Sequence, residues 1–136
     1  MRAVRKAEEI ARKAHYTQKR WSGSPYIEHP KRVALSFNDF DCRIVGWLHD
    51  VLEDTSITEQ DLINSGIPRR LAGVVKILSR KKEETYYDFI LRIKQNPTAT
   101  KVKIADIEDN INDNLKECSL KDKYQLAKHI LKGDEK

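Results

Sequence analysis

The chain has 136 residues, 35% of them charged and 39% apolar, with a formal charge of +5. That length suits a single domain, residues 1–136, able to bury roughly two-thirds of its unfolded surface. No apolar run approaches the ~20 residues of a membrane span, and apart from Arg80-Lys81-Lys82 the basic excess is too dispersed for the dense stripe of a nucleic-acid binder. Neither a membrane nor nucleic acid is therefore expected as a partner. The first residues lack the apolar core of a secretory signal, and Glu8 and Glu9 argue against a transit peptide. Cys42 and Cys118 stand far apart with no C-x-x-C motif, so they read as reduced thiols and the expected location is the cytosol.

Helical periodicity dominates from the start. Residues 2–20 place Val4, Ala7, Ala11, Ala14, His15 and Gln18 on one face, and 21–25 (Trp-Ser-Gly-Ser-Pro) read as a turn. His29-Pro30 predicts a helix start with proline at the first helical position. Asp39 or Asp41 can cap the next helix, which carries His49-Asp50. Thr58 and Asp61 form a capping-box pattern before a short helix that stops at Gly66, and Pro68 opens another through about Ser79. Residues 84–95 predict a further helix, Asn96-Pro97 starts a long one through about Leu115, and Ser119 is placed to cap the last, ending at Gly133. No segment alternates with period two. The expected fold class is all-α, with about seven or eight helices.

The chemistry concentrates in His49-Asp50-Val-Leu-Glu53-Asp54, four ionisable groups on a segment otherwise apolar enough to be buried. Burying unpartnered carboxylates costs several kcal/mol each, so something must compensate, and a metal ion is the economical candidate. If the helix is continuous, His49 stacks over Glu53 and Asp50 over Asp54, and one face carries an imidazole and three carboxylates. Further ligands must come from other helices. His29, fixed after a tight turn, is one candidate, although a histidine at a helix start can equally serve as a cap. Asp106 is another. On a helix Lys103, Asp106 and Asn110 line the border of an apolar stripe made by Ile104, Ile107, Ile111 and Leu115, a pattern that also fits an ordinary amphipathic helix. Asp106, Glu108, Asn110 and Glu117 match positions 1, 3, 5 and 12 of a calcium loop, but Ile111 stands where that loop needs glycine.

Four separated blocks, spanning roughly residues 10–115, agree in order, spacing and residue type with one known family. They are Ala14-His15-Tyr-Thr-Gln18 with Arg20; Pro25-Tyr26-Ile-Glu-His29-Pro30; Leu48-His49-Asp50-Val-Leu-Glu53-Asp54-Thr55; and Val102-Lys103-Ile-Ala-Asp106-Ile-Glu-Asp-Asn110. Together they resemble the HD-domain metal-dependent phosphohydrolases, and within these the hydrolase domain of RelA/SpoT-type alarmone enzymes and their small single-domain relatives. The resemblance implies a compact HD-type helical fold and a manganese-dependent release of pyrophosphate from the 3′ position of guanosine tetra- and pentaphosphate. It implies metal ligation by His29, His49, Asp50 and Asp106, catalytic roles for Glu53 and Asp54, contact of Asn110 with the nucleotide sugar, and Arg20 beside the substrate. Lys103 is a further cation expected to face the phosphates. The chain departs from the family at Trp21, where a polar or basic residue is usual, and at Ile107, where arginine usually follows the aspartate. Those departures keep open a related phosphohydrolase acting on another nucleotide or a phosphorylated cofactor. A catalytically idle nucleotide-binding regulator is the reading from a different class.

Overall fold

The computed structural model describes residues 2–20, 23–112 and 118–133. Trp21, Leu115, Glu117, the Cys118 thiol and the Ser119 cap lie outside the described residues. The helices are α1 (Arg2–Ala14), α2 (Glu28–Leu35), α3 (Phe40–Leu48), α4 (Val51–Asp54), α5 (Glu59–Asn64), α6 (Arg69–Ile77), α7 (Tyr86–Lys94), α8 (Pro97–Asn112) and α9 (Cys118–Lys132). Among the described residues there is no strand, only an isolated bridge between Lys19 and Pro25 that closes the turn after α1. The all-α expectation holds. Among the described residues the helix expected to carry His49-Asp50 is two helices, α3 and α4.

Local signals account for most boundaries. Asp39, not Asp41, caps α3, its carboxylate accepting from the Cys42 N–H at 3.0 Å. Thr58 and Asp61 form a reciprocal capping box at α5, and Thr85 caps α7. Gly66 follows α5 at φ 106°, a conformation other residues rarely adopt. α1 stops at Ala14, short of residue 20, and the chain turns through His15–Thr17. α2 begins one residue earlier than expected, at Glu28, so His29 and Pro30 both lie in its first turn.

α3 is the centre of the molecule. Cys42, Ile44, Val45, Gly46, Trp47 and Leu48 are all buried on it, and it packs against α1, α2, α6 and α8. Each fully buried Leu, Ile or Val side chain contributes about 1.5–3 kcal/mol, so this one helix anchors four others. Its crossing with α2 depends on Gly46. A Cβ there would lie 2.8 Å from the Ala34 Cα, closer than packed atoms tolerate. Because that obstacle is backbone, the two helices would have to separate. Gly46→Ala should therefore lower stability by about 1–3 kcal/mol, read as a lower urea midpoint; an unchanged midpoint would show that α2 does not need this close approach.

Candidate metal centre

Three helical junctions and one helix interior supply the central side chains. The 25–27 turn delivers His29 into the first turn of α2, with the His29 N–H bonded to the Tyr26 carbonyl at 3.0 Å. His49 occupies the C-cap of α3, and Asp50 stands at the start of α4 with φ −105° and ψ −3°, near the sparsely populated bridge region. Asp106 projects from the middle of α8 and is only 4% exposed. It sits within the buried face of α8 beside Ala99, Val102 and Ile107, not on the border of an apolar stripe. Lys103 and Asn110 flank it, donating to its carboxylate at 2.9 and 3.3 Å.

The four groups converge. His29 Nε2 lies 2.8 Å from Asp106 Oδ1 and 3.2 Å from His49 Nε2. His49 Nε2 is 3.1 Å from Asp50 Oδ2 and 3.3 Å from Asp106 Oδ1. One ligand atom from each residue falls within 4.8 Å of all the others, a set able to hold a metal ion. The outer nitrogens are committed elsewhere. His49 Nδ1 lies 2.7 Å from the Gly46 carbonyl, which can only accept, so Nδ1 carries the proton. His29 Nδ1 is 2.7 Å from Asp109 Oδ2, and Arg32 holds the same carboxylate at 2.6 and 3.0 Å. Neutral imidazoles in these tautomers turn two bare Nε2 lone pairs onto two carboxylate oxygens. These four atoms then face one another with no donor among themselves, although Tyr26 and Asn110 donate to the two carboxylate oxygens from outside, an arrangement that fits a divalent cation with mixed nitrogen and oxygen ligands.

The electrostatics carry the same demand. Burial would pull the His49 imidazole down, but Asp50 and Asp106 outweigh it and push its pKa well above the usual value. Burial opposes His29 too, and the hydrogen bonds of Asp106 and Asp109 raise it nonetheless. Burial would raise Asp106, yet Lys103 and His49 hold it well below the ordinary carboxylate range; Asp50 is likewise lowered, chiefly by His49 against burial. The cluster requires positive charge at its centre, whether a proton or an ion.

Glu53 and Asp54 do not share a helical face with this cluster, because the chain breaks at His49-Asp50. They lie on α4 along the cavity wall. Glu53 Oε1 accepts from the Arg80 N–H at 3.1 Å. Partial burial, with Asp50 and Glu53 nearby, pushes Asp54 up to about 6. Tyr26 donates its hydroxyl to Asp50, stacks on His15 at 4.8 Å, and lies beneath the Arg20 guanidinium at 5.8 Å. Arg20 donates to Asn110 Oδ1 at 2.8 Å. Asp50, Glu53, Asp54, Asp106, Arg20, Lys103 and Asn110 thus border one cavity of about 630 Å³, into which His29 also opens; His49 is sealed behind them.

Two departures noted in the sequence fare differently. Ile107 is fully buried in the core and does not line the cavity. Trp21 is not among the described residues. α8 is helical throughout Asp106–Asn112, which rules out a calcium loop there. Sequence reasoning passed over Asp109, although its i+3 spacing from Asp106 was a usable signal. It also passed over the far wall of the cavity, where Arg80, Tyr86, Phe89, Lys123 and Tyr124 stand.

No protein-family model matches the chain. The guanosine-3′,5′-bis(diphosphate) 3′-pyrophosphohydrolase of Aquifex aeolicus is 34% identical over 119 residues, covering 79% of this chain and 17% of that protein. The bifunctional (p)ppGpp synthase/hydrolase SpoT of Escherichia coli is 34% identical over 125 residues, covering 82% of this chain and 18% of that protein. The chain thus spans about a fifth of the length of these curated relatives. Among solved structures, a metazoan SpoT ortholog described as hydrolysing ppGpp superposes with a TM-score of 0.74 at 21% identity, covering 94% of this chain and 82% of that one.

The Arg32–Asp109–His29 chain makes a direct prediction. Asp109→Ala removes one of the two hydrogen bonds that raise His29. In metal-free protein the His29 pKa should fall, followed through its imidazole NMR resonances across a pH series; an unmoved titration would mean Asp109 does not govern this ring.

Proposed function

The chain is a relative of the RelA/SpoT-type alarmone hydrolases with their all-α HD-type fold, and from that premise we propose that it is a metal-dependent phosphohydrolase releasing pyrophosphate from the 3′ position of guanosine tetra- and pentaphosphate. The observation that carries this reading is the convergence of His29, His49, Asp50 and Asp106 at the base of an open cavity. These four residues would hold the ion, with manganese as the proposed metal; the mixed imidazole and carboxylate donors suit a first-row divalent cation. When bound, such an ion supplies a Lewis acid toward a phosphoryl oxygen and makes a hydroxide nucleophile accessible near neutral pH.

The residues around the cluster divide the remaining work. Asp109 and the Gly46 carbonyl keep both imidazoles turned inward by holding their Nδ1–H groups. Tyr26 holds one Asp50 oxygen in place. Hydrolysis breaks the bond between phosphorus and the ribose 3′ oxygen, and that oxygen leaves needing a proton. Asp54, raised to about 6, is the group suited to hold and donate it. Glu53 helps orient the attacking water and anchors the chain at Arg80 beside it. Asn110, braced between Arg20 and Asp106, would meet the sugar. The substrate is a small nucleotide in this reading.

A metal-dependent screen of the purified protein tests the substrate. Guanosine tetraphosphate, other nucleotides and phosphorylated dinucleotide cofactors are assayed with pyrophosphate and phosphate scored separately. Pyrophosphate from the alarmone is the expected result; phosphate from another ester, with the alarmone untouched, would replace it.

The acid role has its own test. A carboxylic acid with a raised pKa is protonated below that pKa and loses its proton as pH rises through it. Wild-type turnover should therefore decline as pH rises through the Asp54 pKa, which an ion held by Asp50 would set below the metal-free value of about 6. Asp54→Asn should lower kcat by about 10²–10⁴-fold and remove that limb. A variant that keeps both its rate and its limb would exclude Asp54 as the acid.

A further inference from the structure

α4 is a single turn of 4 residues. Helices below roughly 12–15 residues are marginal without outside support. No side chain caps the N-terminus of α4, and its last two residues, Glu53 and Asp54, are acidic where the helix dipole favours cations. Yet this turn presents Asp50 to the cluster at one end and Asp54 to the cavity at the other. Contacts from elsewhere must hold it. Val51 is buried in the core, and Glu53 takes the Arg80 N–H at 3.1 Å. The two ends are held from the turn after α1.

His15 is the centre of those contacts. It is 1% exposed and does not line the cavity. Its ring lies against Tyr26 with centroids 4.8 Å apart, and Tyr26 meets His29 edge-on at 5.8 Å. The phenol is thus in contact with two imidazoles while its hydroxyl donates to Asp50. Burial and the Asp50 charge push the Tyr26 pKa up, so the hydroxyl remains a donor. The Tyr26 N–H donates to the Gln18 carbonyl at 2.9 Å, so residues 15–18 set both the ring and the backbone of Tyr26.

A second path runs through Gln18. Its Nε2 reaches the Asp54 carbonyl at 3.5 Å. A carbonyl only accepts, so the amide nitrogen faces Asp54 and Oε1 faces His15, whose Nδ1 lies 2.9 Å away. Nδ1 is therefore the protonated nitrogen of His15, and Nε2 is bare. Among the described residues no donor reaches Nε2. Burial lowers the His15 pKa, which keeps the ring neutral. A buried acceptor without a donor is destabilising, and an apolar ring would avoid it. Packing alone does not account for an imidazole here; its face orients Tyr26 and its Nδ1–H orients Gln18.

We propose that His15 is a positioning residue that holds α4 at both ends, acting through the Tyr26 hydroxyl on Asp50 and through the Gln18 amide on the Asp54 carbonyl. The inference rests on the proposed function for the metal that Asp50 would hold, but the clamp itself belongs to the metal-free chain.

Amide hydrogen exchange of the metal-free protein reads the clamp. The Asp54 and Thr55 N–H groups close α4 on the Asp50 and Val51 carbonyls at 2.9 and 3.1 Å. His15→Ala should speed their exchange at least about tenfold while the amides of residues 102–106 in α8 stay near wild type. A residue that served stability alone would move both sets together. Manganese titration by calorimetry reads the Tyr26 path. Tyr26→Phe and His15→Ala should each weaken binding about tenfold, the scale of losing an outer-shell partner. The double variant should bind no more weakly than the weaker single, because both changes act through one hydroxyl. His15→Phe keeps a ring against Tyr26, removes the bare acceptor and gives up the bond to Gln18, and it replaces His15→Ala if the smaller residue unfolds the chain. It should bind manganese within about threefold of wild type and still exchange faster at Asp54 and Thr55. Exchange at these two amides unmoved by either variant, manganese losses that multiply in the double variant, or a His15→Phe loss as large as that of Tyr26→Phe overturns the clamp. Faster α4 exchange in a protein that binds no manganese leaves the clamp standing and overturns the metal centre; manganese bound with α4 exchange unmoved does the reverse.

Discussion

Two bare imidazole nitrogens 3.2 Å apart, each beside a carboxylate oxygen, are stable in a buried position only with positive charge between them. The rest of the molecule is arranged to produce that confrontation. α3 ends so that His49 turns inward, the 25–27 turn drops His29 opposite it, and α8 carries Asp106 on its buried face. Each histidine is prevented from escaping the conflict by rotation, because its Nδ1–H is tied to the Gly46 carbonyl or to Asp109. Core packing and site geometry therefore meet in Gly46, whose missing side chain lets α2 approach α3 and whose carbonyl sets the tautomer of His49.

The break between α3 and α4 is the second structural requirement. A continuous helix would align His49 with Glu53 and Asp50 with Asp54, stacking all four charges along one face. The break separates them by task. His49 and Asp50 stay with the buried cluster, while Glu53 and Asp54 stand at the cavity wall, where partial burial and neighbouring carboxylates raise Asp54. A carboxyl group held above its ordinary pKa, Asp54, and one held below it, Asp50, are four residues apart in sequence, and the turn at Asp50 gives them different surroundings.

That turn was not legible in the sequence, and the reason is physical. Residues 44–52 carry no glycine or proline stop beyond the packed Gly46, and their apolar pattern runs straight through. Tertiary contacts hold the conformation, among them the Tyr26 hydroxyl on Asp50 and the cluster at His49. Boundaries governed by neighbours in sequence were readable, as at Thr58, Asp39 and Gly66. So, through the resemblance of their sequence blocks to a known family, was the company that His29, His49, Asp50 and Asp106 keep; on the apolar background alone His29 could have been a helix cap and Asp106 a polar flank. Arg80 and Lys123 had no such background. In the sequence Arg80 is one of three consecutive basic residues and Lys123 one lysine on a charged helix, and only the packing of α7 on α9 brings them to one ring.

The same contrast runs through the cavity lining, where Asp50, Glu53, Asp54 and Asp106 stand with Lys19, Arg20, Arg80, Lys103 and Lys123. The acids are concentrated where the helices converge, and the cations are supplied by segments distant in sequence that meet at the rim. Glu53 joins the two halves. Its carboxylate receives the Arg80 N–H at 3.1 Å, which ties the α4 segment carrying Asp54 to the connection between α6 and α7.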